Sequence, residues 1–186
     1  MKQQLKDGAT IALKTMSLCC VTGLCIFIAA ASGCSRGHDR RYFCGDARFS
    51  ISFPETWKIS ENQKGTRILA EIPDEGGSSL IRQNVNVVVE EVKKPVSLND
   101  YVEQQKNGLQ RLRGVRILAA GEITVAGSQA QWLTYSYTIH DFGYQALVYV
   151  LNRNARYYVI TGLSQINAFH RYEEQFHSIA KSFRFE

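Results

Sequence analysis

The sequence predicts an α+β domain, with helices packed on an antiparallel sheet. Three observations point there. Four strand-like runs follow one another between residues 115 and 163, joined by links of a few residues. Links that short make hairpins, not crossovers. A helical pattern stands on each side of this meander, and more strand-like runs precede the first helix. The 186-residue chain is 45% apolar and 21% charged. That is ordinary globular usage, and it excludes wholesale disorder, collagen and a polytopic membrane protein.

The N-terminus comes first. Lys2, Lys6 and Lys14 lead into an uncharged run from Thr15 to Gly33, whose centre, Leu18 to Ala31, is rich in Val, Leu, Ile, Phe and Ala. A basic start, an apolar middle and a small-residue end make a secretory signal peptide. The end reads Ala31-Ser32-Gly33-Cys34. This resembles the lipobox of bacterial lipoproteins. The resemblance implies a diacylglycerol on the Cys34 thiol, cleavage after Gly33 and acylation of the new amino terminus. Ala31, Ser32 and Gly33 are the small flank that lets a peptidase reach the backbone, although Ala31 stands where Leu is commoner. A plain cleaved signal and an uncleaved anchor are the alternatives, since about 19 uncharged residues can just span a bilayer. Ser35 occupies the place where Asp implies inner-membrane retention in enteric bacteria. The resemblance therefore implies an outer-membrane protein facing the periplasm in a Gram-negative source.

Removing residues 1–33 takes away three lysines and one aspartate, which lowers the net charge from +5 to +3. Residues 34–46 read as the lipidated cysteine and a polar tether carrying Arg36, Arg40 and Arg41. They could touch anionic head groups or simply be solvated. No basic stripe with interleaved aromatics follows, so no nucleic-acid footprint is expected. Once Cys34 is acylated, Cys44 is a spare thiol, open to intermolecular pairing; without acylation the two could pair.

The folded domain is expected over residues 47–186. Phe49, Ile51 and Phe53 alternate with serines, the period of a half-buried strand, and Pro54 stops it. Arg67 to Ile72 is a second strand, and the valine-dense Asn84 to Val92 a third. Ser97 is an N-cap with Asp100 at the third helical position. Leu98, Val102, Gln105, Leu109 and Leu112 form one face of the helix, and Gly114 ends it. Gly108 inside it costs about 1 kcal/mol relative to Ala. The meander strands are Val115 to Val125, Ala130 to Ile139, Tyr144 to Asn152 and Arg156 to Leu163. Ile166, Phe169, Tyr172, Phe176, Ile179 and Phe183 then repeat at helical spacing. His170, Arg171, Glu174, His177 and Lys181 lie on the opposite face of that last helix.

Phe49-Ser-Ile-Ser-Phe-Pro-Glu-Thr-Trp57, the valine strand from Asn84, the Ser97-Leu-x-x-Tyr101 helix start and the closing Phe176-His-Ser-Ile-Ala-Lys-Ser-Phe-Arg-Phe185 occur in an order that resembles the PsbP-like and DcrB-like group of small domains. The resemblance spans about residues 46–186. It implies an α/β/α sandwich and an accessory or binding role, with no catalytic motif to carry over.

The polar residues offer little chemistry of their own. Glu174 and His177 make one Glu-x-x-His step, where di-iron bundles use two and further carboxylates. His170 and His177 lie about 10 Å apart along a helix, too far to share an ion. His140-Asp141 reads as a turn. Asp74-Glu75-Gly76-Gly77 lacks the spacing of a calcium loop and of a phosphate loop. No catalytic residue, metal or cofactor is therefore expected. The crowded Tyr135, Tyr137, Tyr144, Tyr149, Tyr157 and Tyr158 read mainly as core and cross-strand pairs; several exposed together would mark a partner surface. The expected function is a non-catalytic, lipid-anchored envelope module that binds another, unidentified envelope protein or aids assembly. The alternative is a periplasmic small-ligand carrier with a pocket between sheet and helix.

Overall fold

The computed structural model describes residues 39–63, 65–73 and 81–186. Within these residues, two antiparallel sheets and two helices make up an α+β fold, as the sequence predicts. The smaller sheet pairs β1 (Asp39–Cys44), β2 (Phe49–Pro54) and β10 (Arg184–Phe185), with β2 in the middle. The larger contains β3 (Lys58–Glu61), β4 (Ile68–Glu71), β5 (Asn84–Glu91), β6 (Arg116–Val125), β7 (Ser128–Ile139), β8 (Phe142–Arg153) and β9 (Arg156–Gln165). Its order is β3-β4-β5-β9-β8-β7-β6.

The meander β6 to β9 turns three times through two residues in the left-handed region. These pairs are Ala126-Gly127, His140-Asp141 and Asn154-Ala155. Paired positive φ angles give the turn whose twist matches that of the flanking strands. His140 and Asp141 therefore serve as turn residues, and both are exposed.

Side-chain alternation divides the large sheet into two buried faces. Leu133, Val148, Val150 and Tyr157 lie under α1 (Leu98–Gln110), which contributes Leu98, Tyr101, Val102 and Leu109. Leu147, Tyr149, Leu151, Tyr158 and Ile160 lie under α2 (Phe169–Lys181) and under Phe49, Ile51 and Phe53 of β2. The Ser97 hydroxyl accepts from the Asp100 amide at 3.0 Å, as the capping pattern predicts. Tyr101 stacks on Tyr157 with ring centroids 3.9 Å apart. The Tyr157 hydroxyl donates to Val96 O (2.6 Å) and accepts from its amide (3.1 Å), so the entry to α1 is fixed on the sheet.

Four sequence expectations give way. Residues 39–44 are a strand with six pairs to β2, not part of a tether. The charged Asp39-Arg40-Arg41 start concealed the alternation of inward Tyr42 and Cys44. Strand β3 was not expected, because Lys58-Ile-Ser-Glu61 is short and polar. The C-terminal helix runs only from Phe169 to Lys181; Ile166 precedes it, half exposed, and Phe183 follows it, fully buried. The spacing of those two is helical, but their backbone is not. His177 does not lie on a solvated face, as described below.

Candidate functional site

The smaller sheet shows the most elaborate polar arrangement. Register places Arg41 and Phe43 on the same side as Ser50 and Ser52, opposite the core. The Arg41 guanidinium donates to Ser50 Oγ (2.7 Å) through Nη1 and to Ser182 O (3.0 Å) through Nη2. Ser50 Oγ, fully buried, donates to Glu186 Oε1 at 2.5 Å. The Ser52 amide donates to Ser182 Oγ (2.8 Å), which itself donates to Ile179 O (2.6 Å). Strand β1, strand β2, the end of α2 and the C-terminal residues are thus joined through charge-assisted bonds. On the core side, burial and the Glu61 carboxylate hold the Tyr42 phenol neutral, with its pKa well above the ordinary value. Cys44 is a free, half-buried thiol. Phe43 is 64% exposed, the most exposed large apolar side chain among the described residues. Sequence reasoning singled out Arg41 but not the network it joins, because Ser182 and Glu186 come from the far end of the chain.

The tyrosines are mostly core, as expected. Tyr144, Tyr149, Tyr157 and Tyr158 are buried, and Tyr137 nearly so. Tyr158 donates to Ala47 O at 3.0 Å. Tyr135, Tyr137 and Tyr144 line up past the end of α1, with centroids 5.8 and 5.7 Å apart, among Ala146, Leu163, Ile139, Ile81 and Val115. Burial raises the Tyr135 phenol to about 12. Among the described residues the buried Tyr144 hydroxyl has no hydrogen-bond partner. Such an orphan is rare in folded proteins.

The histidine cluster separates. His170 is exposed, while His177 is half-buried with Nδ1 2.7 Å from the Tyr149 hydroxyl. Its ring meets Trp132 and Tyr149 edge-on, at 6.2 and 5.7 Å. Among the described residues no group of three or more His, Cys, Asp or Glu could hold a metal ion. The Asp74 to Gly77 loop lies outside those residues, as do Ala31, Ser32, Gly33 and Cys34. Among the described residues no helix is long and apolar enough to cross a membrane.

Burial lowers the His177 pKa from 6.5; Lys181 adds to the effect and Glu173 opposes it. The unfolded chain therefore binds this proton more readily. Stability from neutral His177 is full above 6.5 and is lost as pH falls towards the folded value. Urea titrations between about pH 7 and pH 5 should show that decline, and His177→Gln should flatten it. An unchanged slope in the variant would refute the assignment.

The PsbP-like protein family matches residues 39–185. Cyanobacterial PsbP (CyanoP) from Synechocystis sp. PCC 6803 has a similar structure. Its TM-score is 0.60 at 13% identity, covering 86% of this chain and 99% of that one. LpqN, involved in cell envelope biogenesis of Mycobacterium tuberculosis, superposes with a TM-score of 0.62 at 11% identity, covering 81% and 91%. The Ran-binding protein Mog1p of Saccharomyces cerevisiae gives 0.54 at 7%, covering 80% and 96%. At such identities these neighbours share a fold, which hosts unrelated roles. No curated protein sequence matches. The family match begins at the first residue of β1 and ends within β10, enclosing both sheets. This chain belongs to the PsbP-like protein family.

Proposed function

We propose that this protein is a lipid-anchored accessory module of a bacterial cell envelope, without catalytic activity of its own, that binds an envelope protein. One observation carries the reading. The lipobox-like Ala31-Ser32-Gly33-Cys34 follows an apolar run and stands directly before a PsbP-like domain that starts at residue 39. The envelope role of LpqN, a neighbour in fold, supports it. Several acyl chains on Cys34 hold the domain at a membrane, because one chain alone is marginal and each buried methylene contributes about 0.8 kcal/mol. Confinement to a surface raises the effective concentration towards partners there.

Mass spectrometry of the mature protein should find acylated Cys34 at the new amino terminus. Cys34→Ala should leave an uncleaved or released chain, and affinity capture from membranes with the intact anchor should bring down the partner. An intact segment 1–33 on the mature protein refutes the anchor. The carrier reading draws on a different observation, the Tyr144 hydroxyl, which has no partner among the described residues and lies in apolar surroundings. A tightly bound small molecule in the native mass of the same preparation would favour it.

A further inference from the structure

The structure shortens the leash between anchor and body. Because residues 39–44 are strand, the family domain starts five residues beyond Cys34. Five residues reach at most about 18 Å when fully extended. A domain of this length has a radius of gyration of about 15 Å, so it is roughly 40 Å across. The leash is shorter than the body, and the surface at β1 must stay close to the bilayer.

We infer that the outer face of the β1-β2-β10 sheet is the membrane-facing surface of the protein, with Phe43 at head-group level and Arg41 and Arg184 towards lipid phosphates. The inference rests on the lipid-anchor reading above. The side chains suit that contact. Phe43 projects 64% exposed from β1 on the side away from the core. Register sets Asp39, Arg41 and Arg184 on the same side of the sheet as Phe43, and both arginines are exposed. Glu186 is tied to Ser50, and Arg41 shares that serine, so the acid at the centre of the face is bonded from within. An aromatic ring flanked by cations is the usual composition of a protein surface seated at a lipid interface.

The acylated protein, inserted in phosphatidylethanolamine–phosphatidylglycerol vesicles with brominated acyl chains, provides the test. Phe43→Trp adds an indole to this face, and Leu118→Trp adds one to β6, the far edge strand of the large sheet. Both positions are exposed, at 64% and 51%, so neither substitution disturbs the core. After subtraction of the parent emission from Trp57 and Trp132, the indole at 43 should be quenched at least about twofold more than that at 118. Equal quenching on a preparation whose mass shows acylated Cys34 overturns the membrane-facing surface and leaves the anchor standing. A mass without acyl groups overturns both, since the leash then has no fixed end.

Discussion

Gly162→Ala is expected to destabilise the protein by about 2–3 kcal/mol, in the range for overpacked cores. Gly162 lies on β9 beneath α2, and a Cβ built there would sit 2.5 Å from Phe176 Cγ and 2.9 Å from both its Cβ and Cδ1. These atoms are the root of the ring, not the end of a flexible chain. Relief therefore requires α2 to lift from the sheet, which would also disturb Phe169 and Ile179 in the same core. Two comparisons give the result its meaning. Gly108→Ala, in α1 with nothing within 4 Å of the added carbon, should stabilise by about 0.5–1 kcal/mol through helix propensity. In a Phe176→Ala background the nearest clashing atom is gone but Cβ remains. Gly162→Ala should then cost less, with a coupling on the order of 1 kcal/mol. Urea denaturation measures the four variants against the parent chain. A Gly162→Ala penalty under about 0.5 kcal/mol would mean that the helix does not sit this close.

Glycine at 162 illustrates what the sequence conceals. Strand propensity and alternation locate β9, because Tyr158 and Ile160 face α2 while Tyr157 and Val159 face α1. Nothing local says that the next residue on the α2 face has to be bare so that a ring fourteen places later can reach the backbone. The meander was legible because its hairpins are local. Three two-residue turns join strands whose patterns are strong. Strands β1, β3 and β10 were not, because their partners make them strands. Two residues, Arg184 and Phe185, count as a strand only because Ser50 and Phe49 lie opposite.

The candidate surface divides along the same line. The proposed anchor at Cys34 rests on contiguous residues alone, since a lipidation signal is a short linear stretch. The Arg41–Ser50–Glu186 network could not be, since its members come from both ends of the chain. His177 was assigned to solvent by helical spacing alone. Trp132 and Tyr149, on neighbouring strands, bring it into the packed layer instead. A pattern along one element shows which side chains share a face; what covers that face is a property of another part of the chain.

Phe183→Ala should have the largest effect of any single truncation considered, about 3–5 kcal/mol, the range for emptying a fully buried aromatic site. Phe183 is wholly buried just beyond α2 and meets rings from three strands: Phe49 stacked at 5.4 Å, Tyr158 at 5.3 Å and Phe185 at 5.1 Å. Phe49 and Phe185 belong to the small sheet and Tyr158 to the large one, so the ring closes the seam between them. The Tyr158 hydroxyl bond to Ala47 crosses the same seam. If the seam makes the two sheets one cooperative unit, the variant should unfold in a single transition at lower urea, with its slope unchanged. The exposed neighbour Phe43, truncated in the same way, should move stability by no more than about 0.5 kcal/mol. Two separate transitions in Phe183→Ala, read by near- and far-ultraviolet circular dichroism, would show that the small sheet can detach while the meander stays folded. The proposed membrane-facing surface would then be a flap on the domain and not one side of a rigid body.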